Sequence, residues 1–143
     1  MKFSKILIVV MLWLGLSSGF LPEIAFSKDI RWQSFADGMA QGKSENKKVF
    51  LHFYAKWCAA CKIMEDKTFK DPGVIASLNK DYVPIKVDVD RNRKISEMFR
   101  VKSLPDTWFI AENTEIIGHR LGYIAPEQLK ALLKMLMVPD PGQ

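Results

Sequence analysis

The sequence predicts a single α/β domain built around a mixed β-sheet with helices on both faces. Three observations predict it. Segments of helical and strand periodicity alternate in the order α-β-α-α-β-α-β-β-α. The chain has 143 residues, 48% of them hydrophobic and 26% charged, the proportions of one globular domain. Its only two cysteines, Cys58 and Cys61, lie three apart, straight after the apolar run Val49-Phe50-Leu51-His52-Phe53-Tyr54-Ala55.

The elements follow in order. Trp32, Phe35, Ala36 and Met39 share helical spacing and predict an amphipathic helix from Trp32 to Gly42. Gly42 to Asn46 is a polar turn. Val49 to Tyr54 is apolar on both faces, the pattern of a central buried strand. A helix runs from Cys58 to about Lys67. Asp71-Pro72 opens another, with Asp71 as N-cap and Pro72 at the first helical position. Tyr82 to Val89 alternates Val83, Ile85, Val87 and Val89 with Lys86 and Asp88, a second strand. Arg93 to Phe99 is a short helix. Thr107 to Ile110 and Glu115 to Leu121 form a hairpin across Glu112-Asn113. Ala125-Pro126-Glu127 opens a last helix with Leu129, Leu132, Leu133 and Leu136 on one face.

The first 27 residues read as a signal peptide. Lys2 and Lys5 give a charged start, Ile6 to Phe20 is almost wholly apolar, and Ala25-Phe26-Ser27 places small residues where a signal peptidase cuts. Cleavage after Ser27 leaves a domain of residues 28–143. An uncleaved membrane anchor is the rival, although the apolar run is short against the ~20 residues of a spanning helix. Either way the domain is expected in the periplasm, on the extracytoplasmic side of the membrane.

Net charge is +5, with basic residues scattered among acids. No basic stripe interleaved with aromatics is present, so no nucleic-acid partner is expected. A disulfide closing so short a loop contributes little stability, because the entropy it removes from the unfolded chain grows with loop length. The pair is therefore read as chemical, and a strand–CxxC–helix order points to redox work. A metal site would need Cys58, Cys61, His52 and His119, whose histidine spacing matches no common zinc pattern. Haem attachment would need a histidine after Cys61, where Lys62 stands.

Trp57-Cys58-Ala59-Ala60-Cys61-Lys62 after the first strand, with Leu104-Pro105 before the third, resembles the thioredoxin superfamily. Phe53 to Lys62 and Thr68 to Val74 are similar to the C-terminal domain of the bacterial thiol:disulfide interchange protein DsbD. They are also similar to free-standing periplasmic thioredoxin-like proteins. The resemblance implies a thioredoxin fold and a thiol:disulfide oxidoreductase that reduces protein disulfides. Disulfide oxidation or isomerisation on the same fold, and a non-catalytic binding module, stand as alternatives. No cofactor is expected beyond a redox-active Cys58–Cys61 disulfide; with no nucleotide- or flavin-binding motif, electrons are expected from a membrane thiol protein, and with no extra dimerisation segment a monomer is expected.

The resemblance also assigns roles. Cys58, at a helix start that favours a thiolate, is the nucleophile, and Cys61 resolves the mixed disulfide. Trp57, Leu104 and a cis Pro105 contact substrate. Asp106 stands where the family more usually has Thr. His52 occupies the place of a buried acid behind the second cysteine, and Lys86 that of the lysine accompanying the acid. Two roles are open to His52: carrying the proton of the resolving thiol, or a hydrogen-bonded place in the core. Lys86 beside it would press the imidazole towards neutrality. Glu65, one turn past Cys61, is either a modulating charge or a solvated helix residue.

Overall fold

The computed structural model describes residues 27–138. The signal peptide expected at the start and the tail after Val138 lie outside them, apart from Ser27. Among the described residues five helices and four strands follow the expected order. They are α1 (Phe35–Glu45), β1 (Lys48–Tyr54), α2 (Ala59–Lys67), α3 (Pro72–Asp81), β2 (Tyr82–Asp88), α4 (Arg93–Met98), β3 (Asp106–Ile110), β4 (Ile116–Leu121) and α5 (Pro126–Met137).

The sheet order is β2-β1-β3-β4. β1 pairs parallel with β2 and antiparallel with β3, and β3–β4 is the expected hairpin. Side chains on successive strand residues point to opposite faces, so β1 feeds two cores. Phe50 meets Met64, Val74, Leu78, Leu129 and Leu133 beneath α2, α3 and α5. Val49, Leu51 and Phe53 pack on the other face with Phe35 and Met39 of α1, Ile95 of α4, and Phe99.

Three elements depart from the sequence expectation. The first helix begins at Phe35, not Trp32, because Ser34 is its N-cap and accepts from the Asp37 N–H. Residues before the cap are extended, and Gln33 bridges Ile85 on the outer edge of β2. The helix also runs past Gly42 to Glu45 and closes at Asn46, which takes a left-handed φ of 51°. Gly38 has a structural reason to stay small: an added Cβ would lie 2.3 Å from Ile85 Cγ1, so α1 rests directly on β2. β2 is buried on both faces rather than alternating, with Asp88 itself buried. The edge strand β4 carries a bulge, since Phe109 pairs with Gly118 but Ile110 with Ile116. Ile117 is the extra residue, and such a bulge discourages pairing with another chain.

Candidate active site

The C-terminal end of β1 delivers the chain to the site. Ala55 O accepts the Cys58 N–H (3.2 Å), turning the backbone so that Cys58 becomes the N-cap of α2. Cys58 and Cys61 form a disulfide with their Cα atoms 5.3 Å apart. The Cys58 Sγ accepts the Cys61 backbone N–H at 3.2 Å, one of the donors a helix start leaves unpaired. Both cysteines are nearly buried, at 6% and 4% exposure, against Tyr54, Ala55, Ala60, Val89 and Leu104. Little of either cysteine is thus open to an attacking sulfur.

Trp57 precedes Cys58 directly in the chain. Its ring is 69% exposed, yet its indole Nε1–H donates to Asp90 Oδ2 at 3.0 Å, which ties the active-site loop to the loop after β2. Across the disulfide, the Leu104–Pro105 peptide bond is cis. Leu104 packs on the cysteine cluster, and Pro105 O accepts the Gly122 N–H at 2.7 Å. Cys58, Cys61, Trp57, Leu104 and Pro105 thus gather at one end of the sheet.

His52 lies on the same face of β1 as Tyr54, two residues further from the site. It is 1% exposed and shares a hydrogen bond between Nδ1 and Thr107 Oγ1 at 3.0 Å. Phe69 meets its ring edge-on at 4.9 Å, and Trp32 and Phe50 flank it at 6.3 and 6.5 Å. Burial pushes its pKa down, with the Lys86 charge on the neighbouring strand adding to the fall, to about 3. The main cause is desolvation, with the expected Lys86 effect second.

Lys86 and Glu65 form a pair of their own. The Lys86 ammonium donates to the Glu65 carboxylate. It also lies 4.5 Å from the Tyr54 ring centroid and 5.5 Å from that of Trp32, within cation–π range. Glu65 is thus an ion-paired residue whose partner rests on the aromatic ring beside the cysteines. Sequence reasoning did not foresee three contacts: Thr107 on His52, Asp90 on Trp57, and His119 on Asp106. The buried Asp106 accepts the His119 Nδ1–H at 2.9 Å, and His119 stacks on Trp108 at 4.3 Å. Only the β3–β4 register reveals that last pairing. His119 is thus engaged by Asp106, and among the described residues no group of three or more metal-ligating side chains converges.

Residues 35–136 match the family described as a thioredoxin-like domain. A thioredoxin of Mycoplasmoides gallisepticum is 38% identical over 91 residues, covering 64% of this chain and 86% of that protein. The thiol:disulfide interchange protein DsbD of Vibrio vulnificus is 42% identical over 71 residues, half of this chain but only 12% of DsbD. Among solved structures, a thioredoxin from Thermus thermophilus superposes with a TM-score of 0.71 at 23% identity, covering 77% of this chain and 88% of that one. The oxidoreductase DsbH gives 0.63 at 19%, covering 75% and 86%. These two structures establish the fold. The chain belongs to the thioredoxin-like domain family, as an oxidoreductase whose CxxC disulfide is Cys58–Cys61.

Proposed function

We propose that this protein is an exported thiol:disulfide oxidoreductase that reduces disulfides in other proteins. The observation that carries the reductive direction is how little surrounds Cys58. Among the described residues its Sγ accepts one hydrogen bond, from the Cys61 N–H, and the intervening Ala59 and Ala60 bring no side-chain donor. Strong oxidants of this chemistry are those whose reduced form is stabilised. A reduced Cys58 that gained no donor beyond this N–H and the helix start would belong towards the reducing end. Exposed Lys56 and Lys62 favour the second reading, an oxidase or isomerase, because cations stabilise a thiolate. Solvent and salt screen such exposed charges.

The reduced protein acts in two balanced steps. The Cys58 thiolate attacks a substrate disulfide, forms a mixed disulfide and releases one substrate sulfur as thiolate, which takes up a proton. The Cys61 thiolate then attacks the Cys58 sulfur, restores Cys58–Cys61 and releases the second substrate sulfur. Two electrons have passed to the substrate, and a membrane thiol protein returns them. Trp57 and Leu104–Pro105 shape the surface beside the cysteines where the substrate backbone lies. With its imidazole neutral down to about pH 3, His52 is too weak a base to take a thiol proton at neutral pH, so we assign it to the core.

Export rests on the charged, apolar and small-residue order of residues 1–27 and on the kinship with DsbD. Among the described residues no helix is long and apolar enough to cross a membrane. The test is reduction of a disulfide peptide with dithiothreitol as electron source. Turnover lost in Cys58→Ser supports the reading, and a partner bound equally by wild type and Cys58→Ser without turnover supports a passive binding module.

A further inference from the structure

Resting on the reductase reading, the structure assigns its substrates a chemistry: the disulfide is offered on an acidic protein segment that docks along the loop from Asp90 to Ile95. Those residues line a shallow groove of about 470 Å³. Arg91, Arg93 and Lys94 stand exposed in it. Arg93 and Lys94 pair with no carboxylate among the described residues, and Arg91 reaches only Asp88, at 3.9 Å. Three acids stand among these cations, Asp88, Asp90 and the exposed Glu97 one turn past Arg93, so with Lys56 and Lys62 the region carries five cations against three carboxylates. Asp88 is buried and accepts the Asp90 N–H, while Asp90 accepts the Trp57 indole.

The loop is built rigidly. Asp88 O accepts the backbone N–H groups of Arg91 and Asn92 and the Asn92 side-chain amide. The Trp57–Asp90 bond then fixes this cationic loop against the residue next to Cys58. Lys56 and Lys62 extend the positive field across the front of the dithiol, and no acid lies between Tyr54 and Ile63. A groove held this close to the nucleophile is useful to an occupant that carries a disulfide, which a lipid headgroup does not. A net excess of one sign along such a groove raises the encounter rate of the opposite sign, by ~10-fold at low salt.

The experiment uses reduced protein and three peptides with the same disulfide ring, flanked by glutamates, glutamines or lysines. Each rate is divided by that of neutral dithiothreitol on the same peptide, which removes intrinsic differences in reactivity. We expect the acidic peptide to react about tenfold faster than the basic one at ~0.01 M salt. The ratio should fall to within about twofold near 1 M, where the screening length is ~3 Å. Arg91→Gln/Arg93→Gln/Lys94→Gln should lose the preference, and Arg91→Glu/Arg93→Glu/Lys94→Glu should reverse it. Equal rates, a salt-independent ratio, or a preference surviving in the glutamine variant would overturn the assignment. So would wild-type binding to phosphatidylglycerol vesicles that competes with the acidic peptide and is lost in the glutamine variant. If the wild type reduces none of the peptides, the reductase reading itself has failed; equal rates on all three sink only the acidic-partner assignment.

Discussion

His52 Nδ1 and Thr107 Oγ1 lie 3.0 Å apart across the β1–β3 ladder, both side chains fully enclosed. This contact satisfies two buried polar groups that would otherwise be costly, and it does so with the imidazole neutral. Its consequence is a pH dependence of stability. The unfolded histidine titrates near 6.5 and the folded one near 3, so between those values the unfolded state binds the extra proton. The contribution is fully present above pH 6.5 and is lost as the pH falls towards 3, at up to about 1.4 kcal/mol per pH unit. Urea unfolding of wild type and His52→Asn across this window should show the difference between them changing in that sense. Parallel profiles would contradict it.

Lys86→Met should raise the pKa of His52. Lys86 faces it in register on β2 and its charge disfavours the imidazolium. The value should stay below 6.5, because burial is the larger cause. NMR titration of the ring resonances reads this directly, and no movement would mean that the Glu65 partner already cancels the charge.

The two cysteines should fail differently. Cys58→Ser removes the attacking sulfur and should abolish turnover. Cys61→Ser leaves the attack and removes resolution, so a mixed disulfide with the peptide should accumulate. Mass spectrometry after alkylation distinguishes them, and trapping on Cys61 in Cys58→Ser would reverse the assigned roles.

Asp106 is buried directly after Pro105, with His119 as its side-chain partner. His119→Ala leaves that carboxylate without its donor. Leaving a buried acceptor without its hydrogen bond costs ~1–3 kcal/mol, and since His119 is partly exposed and water can replace it we expect about 1 kcal/mol. Asp106→Asn keeps a hydrogen-bonding oxygen and should cost less. Denaturant midpoints for the two variants check the order.

Much of this was legible before any coordinates. β1 showed its place at the sheet centre through apolar residues on both faces, and Asp71-Pro72 marked a helix start that the cap bonds bear out, with Asp71 Oδ1 accepting from Gly73 and Val74 at 2.9 and 3.0 Å. The first helix was misplaced because Trp32 falls on its apolar period, whereas Ser34 sets its start and Trp32 packs instead on Phe50 and Phe69. The spacing of the cysteines located the dithiol. The polar contacts around it were not legible, because Thr107, Asp90 and Asp106 meet partners 13 to 55 residues away through strand register and loop packing. Periodicity in one segment carries no information about such pairings.

The most direct test of the reductase account is the reduction potential of Cys58–Cys61, measured by equilibration with glutathione or dithiothreitol. We expect a value near that of thioredoxin, about −270 mV. A value near the strongly oxidising −120 mV or so of DsbA would contradict the account and make the protein a disulfide donor.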